Sequence, residues 1–311
     1  MSNSDVVVSV YCLAYNHGKY IKDALEGFVN QKTEFKYEVI VHDDASTDDT
    51  AIIIKKYAEK YPDIIKPILQ KENQYSRGVD IVDEIISPLL TGKYTASCEG
   101  DDYWCDSNKL QKQVEFLENN WEYSACVHNT QMYDMRKKKF ITMYEKKEKD
   151  LDLEDVIYRG GQSYQTSSLL CKTDFFRIKG DYMKCITGVG DYPLSISLMA
   201  KGKIHYFSEV MSIYRYGVPG SWSASQTRKR SINIYYQSIQ MLQIAKKEFS
   251  NLYDELFESA INRYEYEIKK AESDYSILKQ EKYKEFYERE SKTNKIKIQI
   301  KRLLCYIHKC F

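Results

Sequence analysis

Apolar positions along the first hundred residues switch between two periods. Val6 to Ala14 is a near-continuous apolar run, as expected of a strand buried on both faces. Asn16-His17-Gly18 breaks it, and Tyr20 to Asn30 then spaces Ile21, Leu25 and Phe28 along one helical face. Tyr37 to His42 predicts a second strand and Asp43 to Ser46 a turn. Ser46 or Thr47 is the expected cap of the following helix, with Asp48 and Asp49 in its first turn. Ile64 to Leu69 reads as a third strand, Val79 to Leu90 as a helix and Tyr94 to Cys98 as a fourth strand. Strands alternating with helices predict an α/β fold, a mostly parallel sheet flanked by helices.

Farther along, Leu110 to Asn119 presents Leu110, Val114 and Leu117 on one helical face, and Ser124 to Met132 reads as a strand. Arg136 to Lys139, four consecutive basic residues, marks a solvated hairpin tip. A short helix over Leu151 to Tyr158 should end at Gly160-Gly161, followed by a strand over Ser163 to Cys171. From about Ser225 the pattern becomes continuously helical and rich in Lys, Glu and Tyr. The expected organisation is therefore a catalytic α/β domain over 1–224 and a helical extension over 225–311.

Composition narrows the picture by exclusion. In 311 residues, 46 basic and 45 acidic side chains leave a net charge of +1, so no global field attracts nucleic acid. No secretory leader or membrane-spanning run is visible. The eight cysteines are scattered without a C-x-x-C pair, and Cys12, Cys98, Cys126 and Cys171 fall in strand-like runs where a free thiol packs as a small hydrophobe. A reducing, cytoplasmic setting is the expectation. Cys305, His308 and Cys310 read as ordinary helix residues rather than as a metal cluster.

The candidate chemistry lies at predicted strand ends. Glu99-Gly100-Asp101-Asp102-Tyr103-Trp104 follows the fourth strand. Three carboxylates within four residues repel one another, and a hard divalent cation, Mn²⁺ or Mg²⁺, relieves this while leaving room for substrate phosphates. Tyr103-Trp104 is expected to pack under the acidic turn. Asp43-Asp44-Ala45-Ser46-Thr47-Asp48 ends the second strand, where open α/β sheets bind ligands. A carboxylate there accepts a base N–H or ribose hydroxyls, or else builds an Asx-turn and helix cap. Gly188-Val189-Gly190-Asp191-Tyr192-Pro193-Leu194 puts an acid at the start of a helix over Leu194 to Ala200, where it would serve at least as a cap. His17, His42, His128 and His205 stand singly and are expected to be satisfied structural residues.

Taken in order, Val8-Ser9-Val10 through Tyr15-Asn16, then Asp43 to Asp48, then Glu99 to Trp104 resemble the successive signatures of family 2 glycosyltransferases with the GT-A fold, over roughly Val6 to Trp222. The resemblance implies metal-dependent, inverting transfer of a sugar from a nucleotide-sugar donor, a UDP-sugar being favoured. The acceptor would be a hydroxyl of a glycan or lipid-linked molecule in surface polysaccharide synthesis. It implies that Tyr15 stacks on the base, that Asp44 binds it with Asp43 packed alongside, and that Arg77 contacts phosphate or base. Glu99-Gly100-Asp101 stands where the family has Asp-x-Asp, so Asp101 would ligate the metal, Glu99 would touch ribose, contact the metal through water or support the site, and Asp102 would be the reserve ligand. An acid in the position of Asp191 is the family's general base. Tyr214-Arg215-Tyr216-Gly217 with Ser221-Trp222-Ser223 resembles a segment near the donor phosphates. There Arg215 would neutralise phosphate or merely pair with a carboxylate, and Gly217 to Gln226 would form a lid.

A nucleotidyltransferase making activated sugars would need a Gly-rich basic loop after the first strand, which Tyr11 to Lys19 lacks. A non-catalytic scaffold module fits poorly with the presence of both Asp101 and Asp191. Near the end of the chain, Ile296, Ile300, Leu303, Leu304, Ile307 and Phe311 share a helical face flanked by Lys297, Lys301, Arg302 and Lys309. Such a helix lies on an anionic membrane surface, at the inner face of the cell membrane, or docks onto the body or a second subunit of a homodimer.

Overall fold

The structure, a computed structural model, describes residues 5–142, 147–178, 180–185, 190–221, 224, 227–275 and 280–309, with the backbone alone at 142, 159, 161 and 303–309. The chain divides into two compact units, one of residues 1–179 and 194–225, the other of 180–193 and 226–311.

The first unit is built on a mixed sheet. Its parallel half has the order β3 (Ile65–Leu69), β2 (Lys36–Asp43), β1 (Val6–Ala14), β4 (Tyr94–Ser97). Helices α1 (Ile21–Val29) and α2 (Thr50–Lys60) provide the crossovers. Val8, Val10 and Cys12 of β1 join Val39 and Val41 of β2 and Leu25 and Phe28 of α1 in one buried core. Burial on both faces is what the unbroken apolar run of β1 requires. Ala14 lies opposite Asp43, and Tyr11 opposite Ser97. The chain therefore leaves β1, β2 and β4 along one edge, and the segments that follow these strands meet there.

Beyond β4 the direction changes. β9 (Leu170–Lys172) runs antiparallel to β4 and to β6 (Tyr123–Asp134). β10 (Lys203–Tyr216) is parallel to β6, and β5 (Tyr103–Trp104) pairs antiparallel with β10. The basic tip expected at 136–139 is the hairpin between β6 and β7 (Lys139–Thr142). β8 (Lys149–Leu151) pairs with β10, and α3 (Lys109–Asn119), α4 (Leu153–Arg159) and α5 (Thr173–Arg177) complete this unit with most of α6 (Asp191–Lys201).

Two expectations need correction. Residues 163–169 are not a strand: Thr166–Ser168 form a 3₁₀ turn whose carbonyls are taken by tertiary partners, Ser97 Oγ donating to Thr166 and the Trp104 indole N–H to Ser167. The helix expected over 79–90 is a π-helical turn (Ile81–Ile86) followed by a 3₁₀ turn containing Pro88. Strand β10, by contrast, has no counterpart in the elements expected from the sequence. Register shifts between Phe207 and Val210 and between Val210 and Ser212 interrupt its alternation and hide it.

In the second unit, α7 (Arg228–Ala245) packs on α8 (Asp254–Glu272), burying Met241, Leu242, Phe257 and Ile261. The 3₁₀ segment Asp181–Cys185 packs on α7, with Tyr182 fully buried. The short α9 (Lys284–Arg289) and α10 (Lys292–Lys309) follow. Among the described residues, no helix is long and apolar enough to cross a membrane. The six described cysteines are free thiols, and Cys12, Cys98, Cys126 and Cys171 are buried.

Candidate active site

The segments after β1 and β2 are stitched together. The Asn16 amide donates to Ser46 Oγ at 2.8 Å, and Asn16 Oδ1 accepts the Thr47 amide at 2.8 Å. The Gly18 amide donates to Asp48 Oδ2 at 2.9 Å. Asn16 and Ala45 hold φ at +56° and +60°. Asparagine tolerates this region readily; alanine pays about 1 kcal/mol for it. The N-cap of α2 is neither Ser46 nor Thr47 but Asp49, whose side chain makes no cap bond; Asp48 Oδ1 accepts the Thr50 amide at 3.0 Å, and Ser46 is committed to Asp43 and Asn16. Tyr15, at the turn, leaves its ring 46% exposed.

Asp43 and Asp44 are both buried. The Asp43 carboxylate accepts the amide and hydroxyl of Ser46, forming an Asx-turn. Asp44 reaches across to a different loop: Oδ1 accepts the Gln74 amide at 2.7 Å and Oδ2 the Tyr75 amide at 3.1 Å. It thereby anchors the turn carrying Arg77. Arg77 itself points outward and pairs with Glu72 at 2.7 Å.

The acidic turn after β4 is held at both ends. The Gly100 amide donates to Leu13 O at 2.9 Å, and the Asp102 amide to Glu99 O at 3.1 Å. A Cβ at Gly100 would lie 2.8 Å from Ile21 Cδ1 and 2.9 Å from His17 Nδ1, so any larger residue would have to push these side chains aside for the turn to sit this close to the segment after β1. Asp102 is 4% exposed and its Oδ1 accepts the backbone amide of Arg215 at 2.9 Å. Burial, reinforced by Asp101, pushes the Asp102 carboxyl well above the usual range. Arg215 donates from Nη1 to the Asp101 carbonyl at 2.8 Å, pairs with Asp23 of α1, and lies over the Tyr103 ring at 4.5 Å. Of its two expected roles, pairing with a carboxylate is the one seen.

Asp101 differs from its neighbours. Among the described residues its carboxylate accepts no hydrogen bond, and its nearest charged partner is His17 Nε2 at 3.9 Å. His17 was not expected at the site. Among the described residues its Nδ1 is buried without a partner, and burial lowers its pKa. Among the described residues His42 Nδ1 and His128 Nε2 also lack partners, whereas both ring nitrogens of His205 have one, in Asp150 and Glu148. Among the described residues no group of three or more His, Cys, Asp or Glu is arranged to hold a metal ion. A cation shared with substrate phosphates needs only one or two protein carboxylates, and the uncommitted Asp101 fits that donor set.

Behind the turn, Trp104 is 3% exposed and packs edge-on against Phe28 at 5.0 Å, the expected core role. Fully buried Lys109 lies 4.1 Å from the Trp104 ring and donates to Gln113 Oε1 at 2.7 Å. Burial drives its ammonium down to about 7.

In the second unit, Asp191 opens α6 as its first residue rather than preceding it, and its Oδ1 accepts the Tyr192 amide at 2.9 Å. The residue is half-buried, and desolvation of its carboxyl group pushes the pKa up to about 6. Gly188 and Val189 of this motif, and Trp222, Ser223, Ser225 and Gln226 of the proposed lid, lie outside the described residues.

The model of glycosyl transferase family 2 matches residues 9–177. An uncharacterized protein of Mycobacterium tuberculosis is 34% identical over 234 residues, covering 72% of this chain and 62% of its own length. The match thus spans less than two thirds of that relative. The UDP-Glc:alpha-D-GlcNAc-diphosphoundecaprenol beta-1,3-glucosyltransferase WfaP of Escherichia coli is 33% identical over 112 residues, 36% of this chain and 41% of WfaP. Among solved structures, S. aureus TarS 1-349 in complex with UDP has a TM-score of 0.58 at 14% identity, covering 93% of this chain and 77% of that one. Mannosyltransferase PcManGT from Pyrobaculum calidifontis, in complex with GDP-Man and Mn²⁺, has a TM-score of 0.57 at 16% identity, covering 88% and 74%. These two likenesses show a shared fold.

Proposed function

The chain belongs to glycosyl transferase family 2, and from that premise we propose that it moves a sugar, with inversion, from a nucleotide-sugar donor to a hydroxyl of a glycan or lipid-linked acceptor. A UDP-sugar is the favoured donor, in line with the UDP bound by TarS and the UDP-Glc named for WfaP. The observation that carries the proposal is the contrast within the acidic turn. Asp102 is locked by the Arg215 amide, while buried Asp101 keeps an uncommitted carboxylate.

Each residue then has a role that its own chemistry supports. Tyr15 offers an exposed ring for stacking on the base. Asp44 holds the 73–77 turn, and since each carboxylate oxygen accepts twice, it has capacity left for a base N–H. Asp43 shapes the turn beside it. Glu99 supports the turn through its carbonyl, and its side chain would touch the ribose or, through water, the metal. Arg77 is free to exchange its exposed pairing with Glu72 for a donor phosphate, which costs little because surface ion pairs are weak. Arg215 acts on the site by fixing the backbone of Asp101 and Asp102. Asp101, with Asp102 in reserve, would hold Mn²⁺ or Mg²⁺, which when bound stabilises the charge developing on the leaving diphosphate.

Asp191 is the general base. Its carboxylate accepts the proton of the acceptor hydroxyl as that oxygen attacks the anomeric carbon from the side opposite the nucleotide. A carboxyl pushed up to about 6 is a better base than an exposed aspartate and is still ionised at neutral pH. A thermal-shift panel of UDP- and GDP-sugars, with and without Mn²⁺, tests the donor class. Stabilisation by a UDP-sugar that depends on Mn²⁺ is expected; no response to any nucleotide sugar would contradict the proposal.

A further inference from the structure

Helix α10 (Lys292–Lys309) turns the wrong side outward for a helix that docks by its apolar face. Ile298 is 5% exposed, whereas Ile296 and Ile300 are 60% and 54% exposed. At 3.6 residues per turn, Ile296 and Ile300 lie within about 40° of each other, and Ile298 is about 160° from both. The packed side is therefore the one that carries Ile298, opposite Ile296 and Ile300. At the edges of that side, exposed Gln299 donates to the Tyr287 hydroxyl at 2.8 Å and Lys295 to the Glu288 carbonyl at 2.7 Å. In the sequence alone, Leu303, Leu304 and Ile307 repeat the helical spacing of Ile296 and Ile300.

The borders of this stripe are basic. From 291 to 311 the sequence has six Lys or Arg and no acid, and Lys297 and Lys301 are exposed beside the two isoleucines. An apolar stripe edged with ammonium groups complements a surface that is apolar below and anionic above. A second copy of the same face would bring like charges into opposition. We propose that α10 is a membrane-surface element that seats its Ile296/Ile300 stripe in the interface of an anionic bilayer, with Lys297 and Lys301 meeting the headgroup phosphates. The inference stands on this helix alone and does not depend on the transfer reaction.

Co-sedimentation of the full chain with vesicles tests it. Partitioning onto mixed phosphatidylcholine–phosphatidylglycerol vesicles should exceed that onto phosphatidylcholine alone by about tenfold or more at low ionic strength, and should fall as salt is raised. These arms use the unaltered chain. Ile296→Asp with Ile300→Asp, and separately Lys297→Glu with Lys301→Glu, should each reduce binding to the phosphatidylcholine level, with unchanged circular dichroism confirming the fold. Equal binding to neutral and anionic vesicles, or no binding to either, would overturn the proposal. So would a dimer in sedimentation velocity that the isoleucine substitutions dissolve.

Discussion

Two adjacent aspartates with opposite commitments set the chemistry of the acidic turn. Asp102 is buried, bonded to the Arg215 amide and pushed toward its protonated form, while Asp101 accepts no hydrogen bond among the described residues. A second acid, Asp191, carries the proposed proton transfer. Asp191→Asn should leave the donor dissociation constant within about threefold but lower kcat by roughly 10² to 10⁴, which transfer assays and calorimetry on the same protein separate. In the parent enzyme, kcat/KM should fall with unit slope as the pH drops below about 6, because the base is then protonated. A profile flat well below that pH would remove Asp191 from the role. Lys109 makes a different kind of prediction. Its folded-state pKa lies near 7 against an ordinary 10.5, so between those values the unfolded chain binds a proton that the folded chain has shed. Stability should climb with pH across that window and be lower beneath it. Lys109→Met should flatten the climb in urea unfolding at a series of pH values; an unchanged slope would show that Lys109 does not titrate there.

At the scale of elements, the site is positioned by close backbone approaches. A Cβ at Gly27 of α1 would lie 2.8 Å from the carbonyl oxygen and 3.1 Å from the amide nitrogen of Trp104, backbone atoms that cannot step aside alone. Gly27→Ala should therefore cost about 1–3 kcal/mol in urea unfolding and weaken donor binding by displacing β5 and the adjoining acidic turn. A loss of less than about 0.5 kcal/mol would mean that the α1–β5 contact is slack. The same scale explains what could be read from the chain. β1, β2, α1 and α3 were legible because their apolar period is set by burial on one or two faces. The 3₁₀ turn at 166–168 was not, because its form depends on Trp104 and Ser97 taking its carbonyls from far along the chain. β10 was hidden by its own irregular register. The start of α2 at Asp49, with Asp48 rather than Ser46 accepting the Thr50 amide, was hidden in the same way, since Ser46 is taken by Asn16 of another strand end.

For the whole molecule, parallel strand order explains why Tyr15, Asp43, Asp44 and the acidic turn were readable together: consecutive strands of a parallel sheet end on one edge, so residues after each strand converge. The parts that were not readable are long-range pairings without a local signature. Arg215 and Asp23 are 192 residues apart, and His17 faces Asp101 only because Gly100 allows the approach. Likewise, residues 180–193, which include Asp191, group with the later helices although nothing in their composition separates them from the first unit.

The most direct measurement is titration calorimetry of Mn²⁺ and a UDP-sugar against the parent chain and Asp101→Ala. Each ligand should bind the parent more tightly in the presence of the other, and Asp101→Ala, with its unfolding transition intact, should lose that coupling. Coupling of equal size in the substituted protein would contradict the account.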